Sequence, residues 1–396
     1  MNFKDLLDKY KDGNASPEEI KLIEEEINKH EAVKEYLSKS YDIDFENNIL
    51  EDNLKNETNF IKNKVNKKLR KVIVYTVSVV FSILFTIFYI VSPILNNFYY
   101  NPGEKTIGKY NEDLYFDAKV FTELNFPGYE VDGVGSESLG FGVYNIFIER
   151  RNSFNRETKY INIKIKRNSR MESFEYCSPW YSSGFYSIKE PNAIEDEIVK
   201  YGNQEVKHHI NELNPVSYIS ASVIFQKDLT IKEFDELRKK YNKLSFKWVG
   251  VRTESEGKTV NRLFGFNPNL NNGSDSADKA DRKKYPYLEM MDWTDADNKK
   301  KDYNNMKEAY TKHFTSLLKY MNDRKKAVKA LDHNSDIVVG YYTNALDYVQ
   351  KNGINTYGVL VYGEGRELLQ FINNEKIKSI SINNVLPSKY INNPWG

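Results

Sequence analysis

The stretch VIVYTVSVVFSILFTIFYIVSPIL, residues 72–95, decides how this chain is organised. It contains 24 residues and no charge. At about 1.5 Å per residue, a helix of this length spans roughly 36 Å, enough for a hydrocarbon core of about 30 Å. A buried helix of a soluble core is rarely apolar all round over such a length, and a cleaved signal peptide is shorter and begins near the first residue. The sequence therefore predicts one transmembrane helix over residues 72–95.

The flanks of this run differ in charge, and the difference predicts its orientation. Residues 62–71 (KNKVNKKLRK) carry six Lys or Arg, whereas residues 96–103 (NNFYYNPG) carry no charge. Basic flanks remain on the cytoplasmic side of a membrane, so residues 1–61 are predicted to be cytoplasmic and the large C-terminal part extracellular. The predicted membrane-flanking residues are Lys67, Lys68, Arg70 and Lys71 at the inner lipid headgroups, and Tyr99 and Tyr100 at the outer interface.

The cytoplasmic part, residues 1–61, has the pattern of a small helical domain. A short first helix ends near Gly13, and Ser16-Pro17-Glu18-Glu19 has the form of a capping box with proline in the first helical position. A third helix is expected to continue into the membrane. The second helix carries an apolar stripe beside a run of glutamates, and these residues are the predicted partner-binding set: Ile20, Ile23, Ile27, Val33, Leu37, Glu24, Glu25 and Glu26.

Two interpretations of this stripe remain open. It could close a helical hairpin or a self-associating stalk, or it could hold a cytosolic protein in a helix-in-groove contact. Residues 1–60 contain eight Lys or Arg and sixteen Asp or Glu, a net charge of −8. Such a surface repels DNA and attracts a basic partner, and DNA-binding proteins are the obvious class. Direct nucleic-acid binding is therefore not expected.

The extracellular part is predicted to be α+β, with strands and packed helices in two subdomains. The first, residues 105–213, has paired strands at 141–148 and 160–165, a strand candidate at 114–124, and a helix over 193–213 that could break at Gly202. The second, residues 214–396, has a capping box from Thr230 to Glu233 and reads as α/β, with helices against one sheet. Its predicted strands are 218–225, 246–251, 357–362 and 377–382, and its later helices are 302–331, 342–351 and 364–372.

Several patterns that could carry chemistry are better explained by packing or by loops. His313 falls on the buried stripe of the 302–331 helix, and Gly363-Glu-Gly365 lacks the third glycine of a dinucleotide fingerprint. The adjacent His208 and His209 diverge on a helix. Residues 292–297 (DWTDAD) and the polar stretch 267–284 read as solvated loops. The single cysteine, Cys177, lies among aromatic residues between Phe174 and Tyr186, in either a packed turn or a recognition surface. We expect no metal, no cofactor and no enzymatic activity.

The order of features resembles a known family. An acidic start (LLDKYKDGNASPEEIKLIEEEI), a basic stretch, one apolar span and the exit motif YYNP are followed by YGVLVYGEGRELLQF and IKSISINNV. This resembles the membrane-bound anti-sigma factors of Gram-positive bacteria that contain sigma factor regulator N-terminal and C-terminal domains. The N-terminal pattern covers residues 62–102 and the C-terminal one about 216–385. The zinc motif of other anti-sigma domains is missing, so no sigma-contacting residue is carried over.

The resemblance implies a single-pass regulator that sequesters a sigma factor of the extracytoplasmic-function class and releases it when an outer sensor region responds. Further expected partners are membrane lipid and either a regulatory protease or a second membrane protein. Two alternatives remain: a cell-surface binding module with a passive N-terminal anchor, and, less favoured, a membrane-tethered extracellular enzyme.

Overall fold

The computed structural model divides the chain into two compact units, residues 1–81 and 82–396. The residues that the structure describes are 3–39, 51–171, 184–185, 196–255, 260, 262–269, 280–290, 306–332 and 335–389.

The first unit contains the helices that the sequence predicts. Helix α1 is Phe3–Lys11 and helix α2 is Pro17–Lys39. Gly13 adopts a φ of 73°, which glycine tolerates and which lets the chain reverse between the two helices. The predicted capping box is present: Ser16 N donates to Glu19 Oε2 at 2.9 Å, and Glu19 N donates to Ser16 Oγ at 3.3 Å. The start of α2 is therefore specified locally.

Helix α3, Glu51–Thr86, continues through a π-helical turn, Ile87–Val91, into helix α4, Ser92–Phe98. From Phe60 to Phe98 the helix has a mean hydropathy of 2.3 over its best window and is long and apolar enough to cross a membrane. Pro93 follows the π-helical turn. Its missing N–H removes one i→i−4 bond, and such irregular turns accommodate that loss.

The second unit begins with helix α5, Asp113–Asn125, and a four-stranded antiparallel sheet. Strands β1 (Tyr129–Gly140), β2 (Val143–Asn152), β3 (Thr158–Lys166) and β4 (Ser169–Met171) follow in sequence order. The predicted pairing is confirmed: Ile146 lies opposite Ile163 and Ile148 opposite Ile161. One face of this sheet packs into the core because isoleucine recurs at every second position.

A second sheet, of five strands, forms the C-terminal part. The pairings described for it are all antiparallel. The strands are β5 (Tyr218–Thr230), β6 (Ser245–Val251), β7 (Gly265–Phe266), β8 (Asn355–Glu364) and β9 (Ile377–Leu386). Their order across the sheet is β7-β6-β8-β5-β9. The helices are α6 (Asp196–Glu212), α7 (Ile231–Lys240), α8 (Lys307–Asp323), α9 (Lys325–Leu331), α10 (Ser335–Asn352) and α11 (Gly365–Asn374).

Three expectations are corrected. Residues 114–124 form helix α5, not a strand: the alternation of Leu114, Phe116, Ala118 and Val120 mimics period two because this helix is buried on most sides. Helix α6 runs through Gly202 without a break. The helix expected over 302–331 is two helices that meet at Arg324, whose φ of −97° and ψ of 45° interrupt the first. The stripe of this segment that contains His313 is buried, as predicted; its residues are Met306, Ala309, Tyr310, His313, Phe314, Leu317, Leu318 and Met321.

The architecture agrees with the predicted class: an α-helical first part, one long apolar helix and an α+β region with two antiparallel sheets. The main core joins α5 and the first sheet to one face of the second sheet and its helices. A smaller cluster around Trp248, Phe185 and Tyr357 covers the other face.

Candidate functional site

The predicted partner-binding residues lie on a hairpin formed by α1 and α2. Lys9 Nζ contacts Glu19 Oε1 at 3.0 Å across the turn, and Ile23 is completely buried. Among the described side chains of residues 6–36, Ile23 is the one buried residue. In the part of the hairpin whose side chains are described, the contact centre is therefore small.

The two helices differ in length, and this leaves much of α2 uncovered. Helix α1 has 9 residues and α2 has 23, so at 1.5 Å per residue they extend about 13 and 34 Å. The second half of α2 runs beyond the reach of α1. There the side chains of Val33 and Tyr36 are 56% and 73% exposed, and Leu22, on the same side of the helix, is 55% exposed.

An open groove of about 340 Å³ lies on the hairpin between α1 and α2. We call it the hairpin groove; its lining residues are Leu7, Glu26, Ile27, His30, Glu31 and Lys34. Ile27 is 40% exposed and Leu7 is 37% exposed. An apolar floor with glutamates at the rim suits a partner that presents an apolar side chain surrounded by cations.

The charges of the hairpin are arranged by short contacts. Glu26 Oε1 accepts from Lys29 Nζ at 2.5 Å, and this contact lowers the pKa of Glu26 and raises that of Lys29. The pKa of Glu19 is lowered first by the backbone N–H of Ser16 and then by Lys9. Residues 3–39 contain seven Lys and ten Asp or Glu, so the hairpin keeps a net charge of −3.

The predicted set thus occupies several different environments. Ile23 is buried, Ile20 and Glu26 are half-buried, and Ile27, Val33, Glu24 and Glu25 are exposed; the side chain of Leu37 lies outside the described residues. The prediction did not include Leu7, Leu22 and Tyr36, which are exposed and apolar on the same hairpin. Their signal in the sequence is helical spacing: Leu22, Val33 and Tyr36 fall within about one sixth of the circumference of α2 at 100° per residue.

The predicted membrane-flanking residues also differ in their surroundings. Lys67, Lys68, Arg70 and Lys71 are exposed on α3. In the other unit Tyr100 is only 3% exposed, and its hydroxyl donates to Asp117 Oδ2 at 2.8 Å. The ring of Tyr100 is therefore enclosed by protein rather than by lipid.

Asp117 is the centre of a buried polar network, the Asp117 network, that also includes Tyr100, Tyr320 and Arg324. Tyr320 donates its hydroxyl to Asp117 Oδ1 at 2.7 Å, and Arg324 donates to both carboxylate oxygens at 2.8 and 2.9 Å. Burial, and then the negative charge of Asp117, raise the pKa values of Tyr100 and Tyr320 well above their usual range. This network fastens the segment after α4 to helices α5 and α8.

The other candidate groups have structural partners where they are described. His313 is 1% exposed, with Nδ1 2.7 Å from Tyr287 O and Nε2 2.8 Å from Glu123 Oε1, so the prediction of a packed histidine is confirmed. His208 Nε2 lies 3.2 Å from Glu212 on the exposed side of α6. In the described part of the chain, no group of three or more His, Cys, Asp or Glu is arranged to hold a metal ion. Residues 292–297, Cys177 and most of its aromatic neighbours lie outside the described residues.

Residues 210–384 match the family model described as sigma factor regulator C-terminal. The chain is also similar to the probable anti-sigma-M factor YhdL of Bacillus subtilis (strain 168), with 24% identity over 394 residues that cover 97% of each chain. These matches confirm the family resemblance. No solved structure matches the chain significantly.

The sigma factor regulator C-terminal region corresponds to the five-stranded sheet and its helices. It begins at Ile210, near the end of α6, and ends at Asn384 in β9, so it shares nearly all its residues with the predicted range 216–385. The family match thus covers a continuous sheet, whereas the similarity to the curated relative also includes the hairpin and the apolar helix.

Proposed function

We propose that this chain is a single-pass membrane anti-sigma factor of regulatory, non-enzymatic type. Its hairpin would hold a sigma factor in the cytoplasm, and the part of the chain that follows the apolar helix would lie outside the cell and control release. The observation that carries the proposal is an acidic hairpin with an open apolar groove, placed in the sequence before a helix that is apolar enough to span a membrane. The similarity to an anti-sigma-M factor over 97% of the chain supports it.

The physical basis for sequestration is a pair of complementary surfaces. Sigma factors bind DNA, and DNA-binding surfaces are basic. The exposed side chains of Leu7, Ile27, Val33 and Tyr36 would supply apolar contact area, and the surrounding glutamates would select a cationic rim and speed association. We propose that the partner belongs to the extracytoplasmic-function class, and a factor of the sigma-M kind is the first to test because the curated relative carries that name.

The direct test is affinity measurement between the full-length protein and the candidate sigma factor. Ile27→Asp and Val33→Asp place a charge on the exposed apolar surface without disturbing buried Ile23. Each should weaken binding by about 2 kcal/mol or more, roughly 30-fold in Kd. Asn28→Asp is the matched control: it adds the same charge, and Asn28 is exposed and lies about 80° or more around α2 from Ile27, Val33 and Tyr36. Unchanged binding in Ile27→Asp and Val33→Asp would exclude this surface as the sigma-binding site.

Topology requires a separate test. The excess of Lys and Arg in residues 62–71 supports a cytoplasmic N-terminus. Protease added to intact cells should therefore remove an epitope at the C-terminus and spare one at the N-terminus. Cleavage of the N-terminal epitope instead would reverse the proposed orientation and place the hairpin away from any sigma factor.

A further inference from the structure

The turn between β1 and β2 lies against the last turns of the apolar helix. Phe141, at the tip, stacks edge-on against Phe88 with ring centroids 5.8 Å apart. Ser92 Oγ accepts from Phe141 N at 3.0 Å, and Asn96 Oδ1 accepts from Gly142 N at 2.8 Å. Phe88, Ser92 and Asn96 follow one another at intervals of four, so a single face of the helix receives the turn.

The level of this contact along the helix places the turn at the edge of a membrane. About 20 helical residues cross a hydrocarbon core of about 30 Å, so a span that begins at Val72 ends near Val91. Phe88 lies about one turn inside that limit, and Ser92 lies at it. The ring of Phe141 therefore reaches the depth of the outer hydrocarbon boundary, while the rest of the sheet extends away from it.

The backbone N–H groups at the tip of the turn are hydrogen-bonded within the protein, as a lipid environment requires. In lipid an unsatisfied N–H costs several kcal/mol, and the donors of Phe141 and Gly142 are both bonded to side chains of the helix. Gly142 has a φ of 74°, and a Cβ there would lie 2.7 Å from the ring of Tyr99. Close approach of the turn to the helix therefore requires glycine at this position.

The chemistry around the turn fits a lipid surface. Residues 138–143 (SLGFGV) carry no charge, and the side chain of Leu139 is 45% exposed although it is large and apolar. The neighbouring β3–β4 turn carries Lys166 and Arg167, both exposed. Arg167 N donates to Gly142 O at 2.8 Å, and its guanidinium lies 5.9 Å from the ring centroid of Tyr99. An apolar tip beside two cations matches the boundary between acyl chains and phosphate headgroups.

We propose that the β1–β2 turn, Gly140, Phe141 and Gly142 with Leu139, inserts into the outer leaflet beside the membrane helix, and that Lys166 and Arg167 contact phospholipid phosphates. The four-stranded sheet is thereby seated on the lipid surface at the point where the chain leaves the membrane. The proposal rests on the apolar helix crossing a membrane and is independent of which protein the hairpin binds.

The test uses full-length protein in phospholipid vesicles, with the native cysteine removed as Cys177→Ser and one environment-sensitive fluorophore attached at a new cysteine. Phe141→Cys and Leu139→Cys are the test positions. Tyr160→Cys is the matched control, since Tyr160 is on β3 of the same sheet, away from both turns, and is 65% exposed. Val80→Cys reports on the span itself. Iodide should quench positions 139 and 141 about tenfold less than position 160, because an anion is excluded from hydrocarbon, and nitroxide-labelled acyl chains should quench positions 139, 141 and 80.

The outcomes separate the two ideas. If the fluorophore at position 80 is protected from iodide but those at 139 and 141 are both quenched, the turn does not insert into the membrane, although the helix still spans it. If iodide also quenches the fluorophore at position 80, both the insertion of the turn and the membrane-spanning helix are excluded. Protection at 139 and 141 without quenching by the nitroxide lipid means that protein covers the turn, which also overturns the proposal. Leu139→Cys keeps the test decisive if Phe141→Cys disturbs the turn, since Leu139 is exposed and makes little packing contribution.

Discussion

The two units differ in how far their large apolar side chains are buried. In the unit that begins at residue 82, large side chains such as Trp248, Tyr310 and Phe314 are at most 1% exposed. In the hairpin, Ile23 is buried while Leu22, Ile27, Val33 and Tyr36 are between 40% and 73% exposed. Both regions have well-defined helices, so the difference lies in packing and not in local structure.

This difference shows what a helix cap can and cannot do. The capping boxes at Ser16 and at Thr230 contain the same pair of hydrogen bonds. In each, the Glu backbone N–H donates to the Ser or Thr hydroxyl at 3.3 Å. A cap fixes where a helix begins, but the stability of a helix in a protein comes mainly from burial of its apolar face. In α7 that face is covered by the core, whereas in α2 most of it is uncovered. We infer that the hairpin completes its burial only in a complex.

The largest effect should come from the Asp117 network in the unit that begins at residue 82. Asp117→Asn keeps the shape of the side chain, but it leaves Arg324 with one carboxylate instead of two, that of Asp113 at 3.1 Å. It also replaces one of the two oxygens that accept from the hydroxyls of Tyr100 and Tyr320 by an amide NH2. Breaking one partner of a buried ion pair costs about 3–5 kcal/mol, and denaturant unfolding of the purified protein in detergent should show a loss of that size.

Asp347→Asn is the matched control, since Asp347 is exposed on α10 and its loss should cost less than about 0.5 kcal/mol. If Asp117→Asn changed stability no more than this control, the Asp117 network would not fasten the segment after α4 to helices α5 and α8. Affinity for the hairpin's partner should be equal in the two variants, because the substitution lies in the other unit.

A second, smaller effect should be confined to the hairpin. Ile23→Ala truncates the one buried side chain among those described in residues 6–36, and a truncation of this kind costs about 2–4 kcal/mol. Hydrogen exchange on the full-length protein should show faster exchange at the α1 amides and no change in β5. Faster exchange in both places would show that the two regions do not unfold independently, and the contrast between them would fail.

Local patterns were sufficient to predict much of this fold. Both capping boxes, the pairing of β2 with β3 and the continuous apolar helix follow from interactions between residues close in the chain or from simple periodicity. The hairpin stripe was also predictable as a helix face. Its division into buried Ile23 and exposed Val33 was not, because that depends on how far the short helix α1 reaches along α2.

Other features depend on contacts that the sequence does not display. Tyr100 looks like an interfacial aromatic from its position after the apolar run, yet its hydroxyl is bonded to Asp117, 17 residues away, within a network completed by Arg324. Residues 114–124 alternate like a strand, and only the tertiary environment, which buries this helix on most sides, makes them helical. In the sequence Ser92 is one of several hydroxyl residues in the apolar run, and nothing distinguishes it until the β1–β2 turn is placed beside it.

The smallest effect concerns pH and distinguishes the two capping boxes. The backbone N–H of Ser16 and then Lys9 hold the pKa of Glu19 below its ordinary value of 4.5. The folded hairpin therefore favours the ionised carboxylate, so this stabilisation is fully present above about pH 4.5 and is lost as the pH falls through the lowered pKa. Acidification should raise hydrogen exchange at the start of α2, and Glu19→Gln should remove that pH dependence.

Glu233 in the box of α7 provides the comparison, because its pKa is lowered by the backbone N–H of Thr230 in the same way. Helix α7 is also held by the buried side chains of Phe234 and Leu237, so the same loss of a cap bond should leave its exchange nearly unchanged over that pH range. Equal acid sensitivity at the starts of α2 and α7 would mean that burial does not set the difference between the two regions. Acid sensitivity confined to α2 would identify the cap as a major part of the stability of a hairpin that has little core.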